Sequence, residues 1–382
     1  MTPAPMAVVT TAHPWGDPRV FGRELQACLD WGVEVDLLAV PPKGGPGELP
    51  PGLHVHALPE GGGRAARIAL ALGVAWRLLR LGPHRLVHFH DPELLPAMAL
   101  VALARPGTHV LYDVHEDLPL QCQSKAYVPE AARRPLGILA AWGLGMAGRL
   151  FHGFAPATEA IARAWPPEAT RVVHNYPRAL FHRGGPPPDP MRALYMGGLS
   201  RERGILAALE AVRRVRRGGL PLRLELVGWM MDGAVEAAVA RASAEGWCDH
   251  TPRLEAEALA ARALGAGIGL VPLLPLPNYV EALPTKLFEY MALGIPILAS
   301  DFPLWRRLVE ESGAGRVAAP EPGPLAEALA AMASDPAGLA VFARNGRQAS
   351  KARYRWEAEA AHLRWHLVRA GVLPPLPPGA PA

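Results

Sequence analysis

The residues best suited to chemistry lie in the run Glu281-Ala-Leu-Pro-Thr-Lys286-Leu-Phe-Glu289, which leads into a predicted helix. Proline is favoured at the first helical position and glycine just past the last one, so the helix is predicted over residues 284–293, with Glu281 in the loop before it. Lys286 falls in the first turn, where the helix dipole disfavours a cation by up to about 1 kcal/mol. Open N–H groups and this lysine would together bind a phosphate, and Glu289, one turn further, would accept hydrogen bonds from sugar hydroxyls. The alternative is a solvated lysine and a glutamate on the helix surface.

A second helix start has the same unexpected charge, in the run Gly197-Gly198-Leu-Ser200-Arg201-Glu-Arg203. Ser200 is the predicted N-cap, and Arg203 stands three residues later, where a capping box would have Glu or Gln. Paired glycines let the backbone approach a ligand closely, and a guanidinium suits bidentate contact with phosphate. A plain turn with solvated arginines is the alternative. Taken together, the two helix starts predict one diphosphate between two neighbouring helix N-termini at a sheet edge.

The composition places these residues in a globular chain of two domains. The chain has 382 residues and a net charge of +4, with 39 basic residues scattered among 35 acidic ones. No basic stripe indicates a nucleic-acid partner. Cys28, Cys122 and Cys248 are too widely spaced for a disulfide framework or a metal pair, which favours a reducing cytoplasm. The longest apolar stretch, residues 135–148, is too short to span a bilayer.

Short β-type runs alternate with amphipathic stretches along most of the chain, which predicts parallel sheets built from βαβ units. The predicted strands are 7–11, 33–39, 53–58, 85–90, 110–114, 171–174, 193–196, 222–227, 267–271 and 296–299. Helices are predicted at 21–29 and 65–81 in the first half, and a last one covers 346–370. The Pro/Gly cluster at 183–190 predicts a boundary between domains 1–183 and 191–350, followed by a helix and Pro-rich tail over 351–382. Ligands of such sheets bind at the carboxyl ends of the strands.

The two helix starts around Arg203 and Lys286 resemble those of the GT-B fold glycosyltransferases, in particular the large retaining family four. The hallmark of that family is two glutamates separated by seven residues, which Glu281 and Glu289 match. The run Pro-Thr-Lys-Leu-Phe-Glu-Tyr-Met-Ala-x-Gly-x-Pro is similar to one branch of it. Weaker matches are Asp17-Pro-Arg19, His88-Phe-His90-Asp91-Pro-Glu93, Tyr112-Asp-Val-His115-Glu116, His174-Asn175 and Gly197-Gly198.

The resemblance implies two Rossmann-like domains that face a cleft, with a C-terminal helix that packs back on the first domain. It implies that Glu289 binds the donor ribose, that Glu281 contacts the transferred sugar, and that His115 lies near the anomeric carbon. The implied catalytic residues are His115, Glu281, Lys286 and Arg203. The implied donor-binding residues are Gly197, Gly198, Arg203, Glu281, Ala282, Leu283, Pro284, Thr285, Lys286 and Glu289.

The chain departs from the family in two loops. Many relatives have Gly-Arg where this chain has Gly197-Gly198, so one diphosphate contact must come from Arg203, Arg201 or elsewhere. The Gly-rich loop after the first strand is replaced by residues 13–19. The acceptor-side candidates are His13, Asp17, Arg19, His90, Asp91 and Glu116. For the two aspartates, helix capping is the alternative, and the residues alone favour it for both.

No metal or other cofactor is expected. His88 and His90 alternate on one face of a strand, but no third ligand has an obvious spacing. Neither Asp113 nor Asp117 belongs to an Asp-x-Asp pair. The leaving diphosphate would be neutralised by Lys286, Arg203 and two helix dipoles. The resemblance further implies retention at the anomeric carbon without an enzyme nucleophile.

The predicted function is transfer of a hexose from a nucleotide sugar, with UDP or GDP as the nucleotide, to a saccharide, lipid-linked or small-molecule acceptor in the cytoplasm. Two alternatives are a GT-B sugar-nucleotide epimerase and an inactive nucleotide-sugar-binding protein. Residues 133–146, beginning Arg133-Arg134, either pack on the sheet, which the sequence favours, or lie on the inner face of the cytoplasmic membrane. Arginines at 64, 67, 77 and 80 keep the membrane alternative open.

Overall fold

Two parallel sheets of six strands each organise the chain. The computed structural model describes residues 4–42, 44–60, 63–119 and 130–375, except for the side chains of 63–68. The chain forms two compact units, Met1–His174 with Glu357–Ala382, and Asn175–Trp356. The predicted pair of doubly wound α/β domains is therefore confirmed. Cys122 lies outside the described residues.

The first unit contains a sheet with the strand order β3-β2-β1-β4-β5-β6, in which every pairing is parallel. Its strands are β1 (Met6–Val9), β2 (Val35–Ala39), β3 (Leu53–Ala57), β4 (Leu86–Phe89), β5 (His109–Val114) and β6 (Gly153–Pro156). Val8 of β1 is in register with Leu37 of β2 and with His88 of β4. The central strands are buried throughout and mostly apolar because helices cover both faces of a parallel sheet.

The helices of the first unit follow the strands. They are a π-helical turn (Val20–Leu25), α1 (Gln26–Asp30), α2 (Gly63–Leu81), α3 (Leu95–Ala104) after a 3₁₀ turn at Pro92–Leu94, α4 (Glu130–Leu150), α5 (Glu159–Ala162) and a 3₁₀ turn at Pro167–Ala169. The predicted helix at 21–29 begins with this π-helical turn. α4 turns Gly137 and Ala147 inward and leaves Ile138 and Trp142 exposed, so the prediction that this stretch packs on the sheet holds for one face only.

The second unit repeats the architecture with the strand order β12-β11-β10-β7-β8-β9. Its strands are β7 (Asp189–Met196), β8 (Arg223–Val227), β9 (Cys248–Thr251), β10 (Ala266–Val271), β11 (Ile297–Ser300) and β12 (Gly315–Ala318). Its helices are a 3₁₀ turn (Ala179–Phe181), α6 (Ile205–Arg217), α7 (Gly233–Ala244), α8 (Ala256–Ala263), α9 (Pro277–Val280), α10 (Thr285–Leu293), α11 (Pro303–Ser312), α12 (Pro322–Ala333) and α13 (Pro336–Arg353).

The last helix, α14 (Trp356–Arg369), packs on the first unit, as predicted. Leu363 and Leu367 are fully buried, and His366 lies so close to β6 that a Cβ on Gly153 would stand 2.7 Å from its Nδ1. His174 Nδ1 lies 2.9 Å from Glu359 of this helix. The helix thus belongs to the first unit, although the entire second unit lies between it and the other elements of the first unit in the sequence.

Four local predictions are wrong. Residues 171–174 form no strand; the N–H groups of Arg171 and Val173 bond to β6, but the pairing does not continue. The predicted helix 346–370 is broken at Tyr354, whose ring packs between Tyr176 and Phe288 and so turns the chain. The two remaining differences concern the domain boundary and a helix cap.

The division between the units falls after His174, before the Pro/Gly cluster at 183–190. Tyr176 and Phe181 bury their rings in the core of the second unit, which draws the chain into that unit earlier than predicted. The N-cap of α6 is Gly204 rather than Ser200. Gly204 has a φ of 73°, and a Cβ there would stand 1.8 Å from the Pro272 carbonyl oxygen, so only glycine fits.

No single helix among the described residues is long and apolar enough to cross a membrane. α12 together with the segment Pro336–Arg369, which contains α13 and α14, is long and apolar enough by length and composition alone, but the two parts are bent by 96° at the break between them.

Candidate active site

Lys286 is the second residue of α10 and is buried. Its Nζ lies 3.8 Å from the centre of the Tyr195 ring. Burial and the charge of Arg203 hold the pKa of Lys286 well below its usual value, although Glu289 acts in the opposite direction. Within the described chain, no acidic side chain forms an ion pair with Lys286 or Arg203. A buried cation at a helix N-terminus without an ion-pair partner is the arrangement expected of an anion site.

Gly197 brings the two cations to one point of the backbone. A Cβ on this residue would stand 3.4 Å from Lys286 Nζ and 3.6 Å from Arg203 Nη1, and its φ of 119° is one that other residues rarely adopt. A Cβ on Gly198 would stand 2.5 Å from Met231 Sδ and 3.1 Å from the Trp229 ring, so both side chains would have to move. The glycine pair at the end of β7 therefore leaves space directly beside both positive groups, at the strand end where such sheets bind ligands.

Arg203 and Arg201 differ in their partners. Arg201 is exposed, and its Nε lies 2.9 Å from Asp232 Oδ2. Arg203 is half-buried and hydrogen-bonds to the Tyr195 hydroxyl; burial raises the pKa of Tyr195 to about 12, and the charge of Arg203 and this bond oppose the rise. Of the two arginines that the sequence left open, Arg203 is the one placed beside Lys286.

The first turn of α10 is fixed to the sheet by Tyr290. Its hydroxyl donates to the Leu194 carbonyl at 3.2 Å and accepts from the Met196 N–H at 3.1 Å. Its ring lies so close to Gly269 of β10 that a Cβ there would be 2.6 Å away. Trp305 Nε1 donates to the Ala282 carbonyl at 2.7 Å and holds the loop before the helix. The position of Lys286 is thus set by fully buried aromatic residues.

The paired glutamates lie on either side of this turn. Glu281 is exposed and follows α9, a one-turn helix that the sequence did not predict. Glu289 is half-buried, one turn after Lys286 on α10, as predicted. Ala282, Leu283 and Pro284 form the half-buried loop between Glu281 and α10; Pro284 is the N-cap of the helix, and Thr285 is its first residue.

Two residues beside the glycine pair were missed in the sequence. Trp229 and Met231 follow β8 and are 45% and 54% exposed, and the Trp229 ring would be 3.1 Å from a Cβ on Gly198. The signal was present, because an aromatic residue directly after a parallel strand lies at the ligand-binding edge of the sheet.

The first unit holds a separate cluster of polar side chains, centred on Asp113 of β5. The buried carboxylate accepts from Arg19 Nε at 2.8 Å and also from Arg19 Nη2, and it lies 2.8 Å from His90 Nδ1 and 2.6 Å from His115 Nε2. Burial alone would raise the pKa of Asp113, but Arg19, His115 and His90 hold it well below its usual value. Asp113 therefore orients His115 at the carboxyl end of β5, while Glu116, the next residue, is exposed.

His13 lies above this cluster on the loop after β1. Its ring centre is 4.6 Å from that of His115, its Nδ1 is 3.3 Å from Asp17 and its Nε2 is 3.5 Å from Asp91. Burial alone would lower the pKa of His13, but the two carboxylates outweigh it and raise the pKa. His13, Asp17, Asp91 and His115 thus lie close together at the carboxyl ends of β1, β4 and β5.

The two aspartates also hold backbone. Asp17 Oδ1 accepts from the N–H groups of Arg19 and Val20 at 2.8 and 3.0 Å, which is the capping role that the sequence favoured. Asp91 does not cap the helix that follows it. Its Oδ2 instead accepts from the Thr11 N–H at 2.6 Å and from Thr10 Oγ1 at 2.8 Å, and so ties down the loop after β1.

Beneath this cluster, Glu24, His88, His90 and Asp113 place one donor atom each within 4.8 Å of one another. The fold thus supplies two possible ligands, Glu24 and Asp113, that sequence spacing did not reveal beside the histidines. The guanidinium of Arg19 already fills the cationic role here, since its Nε lies 3.0 Å from Glu24 Oε1 and bonds to Asp113. Burial and the charge of Asp113 raise the pKa of Glu24 well above its usual value, which favours its neutral form. Arg19 is therefore the positive charge that this donor set faces.

Comparisons with known proteins assign the class. Residues 18–176 match the family described as "Glycosyl transferase 4-like domain", and residues 178–349 match "Glycosyl transferases group 1". The fold is shared with sucrose-phosphate synthase of Thermosynechococcus elongatus (TM-score 0.74, 19% identity, 96% of this chain and 98% of the other). It is also shared with Anabaena HepE in complex with UDP-glucose (TM-score 0.67, 14% identity, 95% and 99%). The two units therefore have the GT-B architecture of glycosyltransferases.

The chain belongs to the group 1 glycosyl transferases, the family four of the sequence resemblance, and is a transferase. It is 28% identical over 306 residues to a glycogen synthase of Mycobacterium tuberculosis, an alignment that covers 74% of this chain and 70% of that protein.

Proposed function

We propose that the protein transfers a hexose from a nucleoside diphosphate sugar to an acceptor hydroxyl, with retention at the anomeric carbon and without a metal. The observation that carries this proposal is the buried Lys286 beside Arg203 at the N-terminus of α10. The structural neighbour HepE binds UDP-glucose, which supports a UDP donor here, with GDP as the second choice. The acceptor is a saccharide, a lipid-linked sugar or a small molecule in the cytoplasm.

The diphosphate would lie against Gly197 and Gly198, where Lys286, Arg203 and the open N–H groups of α10 meet it. Negative charge grows on the diphosphate as the bond from the anomeric carbon to the phosphate oxygen breaks. Fixed cations in a site shielded from water stabilise that charge strongly. Glu289 would accept hydrogen bonds from the ribose and Glu281 from the transferred sugar. Lys286 and Arg203, which we call the clamp, would thus stabilise the leaving diphosphate, as a divalent ion does in other transferases.

In the proposed step, the acceptor oxygen bonds to the anomeric carbon on the face that the diphosphate leaves. The acceptor proton passes to a diphosphate oxygen, so no enzyme nucleophile is needed. His115 would accept a hydrogen bond from the donor sugar through Nδ1, because its Nε2–H is committed to Asp113 at 2.6 Å. His13, Asp17, Arg19, His90, Asp91 and Glu116 remain the acceptor-side candidates.

A thermal-shift panel of UDP, GDP, ADP and their hexose conjugates, with and without EDTA, tests the clamp. A ligand at 100 times its dissociation constant stabilises the protein by about 2.7 kcal/mol. We expect one nucleotide to raise the melting temperature selectively, with no change on adding EDTA. Lys286→Ala should abolish this rise and reduce turnover about 100-fold or more, since it removes a charge that acts on the transition state.

Lys351→Ala is the matched control, because Lys351 is an exposed lysine of α13 in the same unit. It should leave both the shift and turnover unchanged. Wild-type turnover in Lys286→Ala would overturn the clamp. Release of a changed nucleotide sugar without any acceptor would assign the protein as an epimerase, and binding without turnover of any donor would assign the inactive alternative.

A further inference from the structure

Exposed apolar side chains are concentrated on one part of the first unit. Among the described residues, twelve large apolar side chains are exposed, and nine of them lie on α2, α3 and α4. Trp142 and Trp76 are 66% and 55% exposed. Isolated exposed apolar residues are ordinary, but a concentration on neighbouring elements marks an interaction surface.

The three helices form one continuous layer. α3 packs against both α2 and α4, and all three cover the same core on one face of the sheet. Val74 and Leu78 of α2 and Met98 and Val101 of α3 point into that core. The side chains on the opposite faces therefore point outward together. We call this outward face the apolar helix surface; its members include Leu72, Trp76, Leu103, Ile138, Leu139 and Trp142.

The charge of this layer has one sign. α2, α3 and α4 contain seven arginines and one acidic residue, Glu130. Arg134 and Arg149 are exposed at opposite ends of α4. Arg80 is exposed on α2, and its guanidinium lies 4.0 Å from the centre of the Trp76 ring. The apolar side chains are thus bordered by cations, whereas the whole chain has nearly equal numbers of basic and acidic residues.

We propose that the apolar helix surface docks on the face of a lipid bilayer that carries anionic headgroups. Tryptophan and leucine side chains enter the boundary between headgroups and acyl chains, and arginines at the border pair with lipid phosphates. Long basic side chains reach such headgroups while their stems stay on apolar surface.

A second copy of the chain fits this surface less well. In a two-fold dimer, the same patch lies on both subunits, so arginines would oppose arginines with one glutamate in each layer to offset them. The bilayer, by contrast, supplies both an apolar interior and the opposite charge. The docking is a surface contact and is independent of the donor site of the second unit.

Flotation of the full chain with vesicles tests the proposal. The vesicles are phosphatidylcholine alone, and phosphatidylcholine with about a third phosphatidylglycerol. We expect flotation with the anionic vesicles only, and a loss of it at high salt because the headgroup attraction is screened. The double variant Ile138→Gln, Trp142→Gln should reduce the bound fraction about tenfold or more, since both side chains leave water on docking.

Two matched controls accompany this variant. Val341→Gln changes an exposed apolar residue of α13, and it should float as the wild type does. Arg134→Glu with Arg149→Glu should lose binding to the anionic vesicles, whereas Arg344→Glu, an exposed arginine of α13, should keep it. The circular dichroism spectrum and the melting temperature of each variant without nucleotide check that it is folded, and the nucleotide-induced thermal shift reports the donor site separately.

Equal flotation of the wild type and the Ile138/Trp142 variant would overturn the proposal. So would a wild type that ignores anionic vesicles. If sedimentation showed a dimer that this variant dissociates while vesicles bind nothing, the surface would belong to a second copy and the bilayer assignment would be wrong.

Discussion

Burial and the nearby Arg203 make the charged form of Lys286 unfavourable, and a bound anion removes this penalty. Burial and Arg203 lower its pKa in the free protein. A bound diphosphate, with opposite charge close to Nζ, raises that pKa again. Between the two pKa values the free lysine is largely neutral and the bound lysine is charged. Nucleotide binding in this pH range therefore takes up a proton.

We predict that the affinity for nucleoside diphosphate falls as the pH rises through this range, because proton uptake is then opposed. Titration calorimetry in two buffers with different heats of ionisation measures the protons taken up. Lys286→Arg, which stays charged at any accessible pH, should bind without the uptake. The same uptake in that variant would assign the proton to another group.

The two residue clusters differ in how far the sequence could predict them. Lys286 was predictable because it is a cation in the first turn of a helix, a signal carried by a few adjacent residues. Arg203 was predicted by the same reasoning, although the structure places it just before the N-cap Gly204. The link from Asp113 to Arg19, His90 and His115 was not, since these residues come from three separate chain segments that meet only in the folded sheet. Side chains buried together leave no mark in local spacing.

At the scale of elements, α14 is held to the first unit by a titratable pair. Burial alone would lower the pKa of His174, but hydrogen bonds to Glu159 and Glu359 raise it to about 9. Burial alone would raise the pKa of Glu359, but hydrogen bonds from His174 and His362 lower it to about 2. The stabilisation from His174 is complete below its unfolded pKa of about 6.5 and is lost as the pH rises through 9. That from Glu359 is complete above about 4.5 and is lost as the pH falls toward 2.

His174→Gln should therefore destabilise the first unit more at pH 6 than at pH 10. Urea unfolding of wild type and variant at both pH values measures the difference. His54→Gln is the control, because His54 is an exposed histidine of β3 in the same unit. A difference between wild type and His174→Gln that does not change with pH would exclude a charged pair.

Elements were predictable where local signals agreed with tertiary packing. Most strands of the two sheets are apolar runs bounded by turns and were predicted, whereas β6, β9 and β12 were missed. α10 ends at Gly294 in the left-handed conformation that glycine favours. The errors lie where packing overrides local preference. Tyr354 breaks a continuous helical pattern because its ring is buried with Tyr176, and Gly204 replaces Ser200 as a cap because Pro272 leaves space for no side chain.

At the scale of the whole molecule, the first unit is built from two separate parts of the chain. A variant truncated after Trp356 lacks the rest of α14 and exposes the surface that Leu363 and Leu367 cover. Each buried leucine contributes about 1.5–3 kcal/mol, a large part of the 5–15 kcal/mol that stabilises a typical protein.

We expect this truncation to destabilise the first unit and to leave nucleotide binding in the second. Hydrogen exchange of β5 and β6 should speed up strongly, while exchange of β7 and α10 and the nucleotide-induced thermal shift stay as in the wild type. Equal acceleration in both units would contradict the division at His174.

The chain enters the second unit from the first and returns to it, so residues 4 and 375 both lie in the sequence of the first unit. Tension applied between those two points is carried by the first unit alone. No force acts through the second unit as long as α14 stays packed on the first unit. Mechanical unfolding from these two points would thus unfold the first unit, which has the apolar helix surface, before the second unit, which contains Lys286.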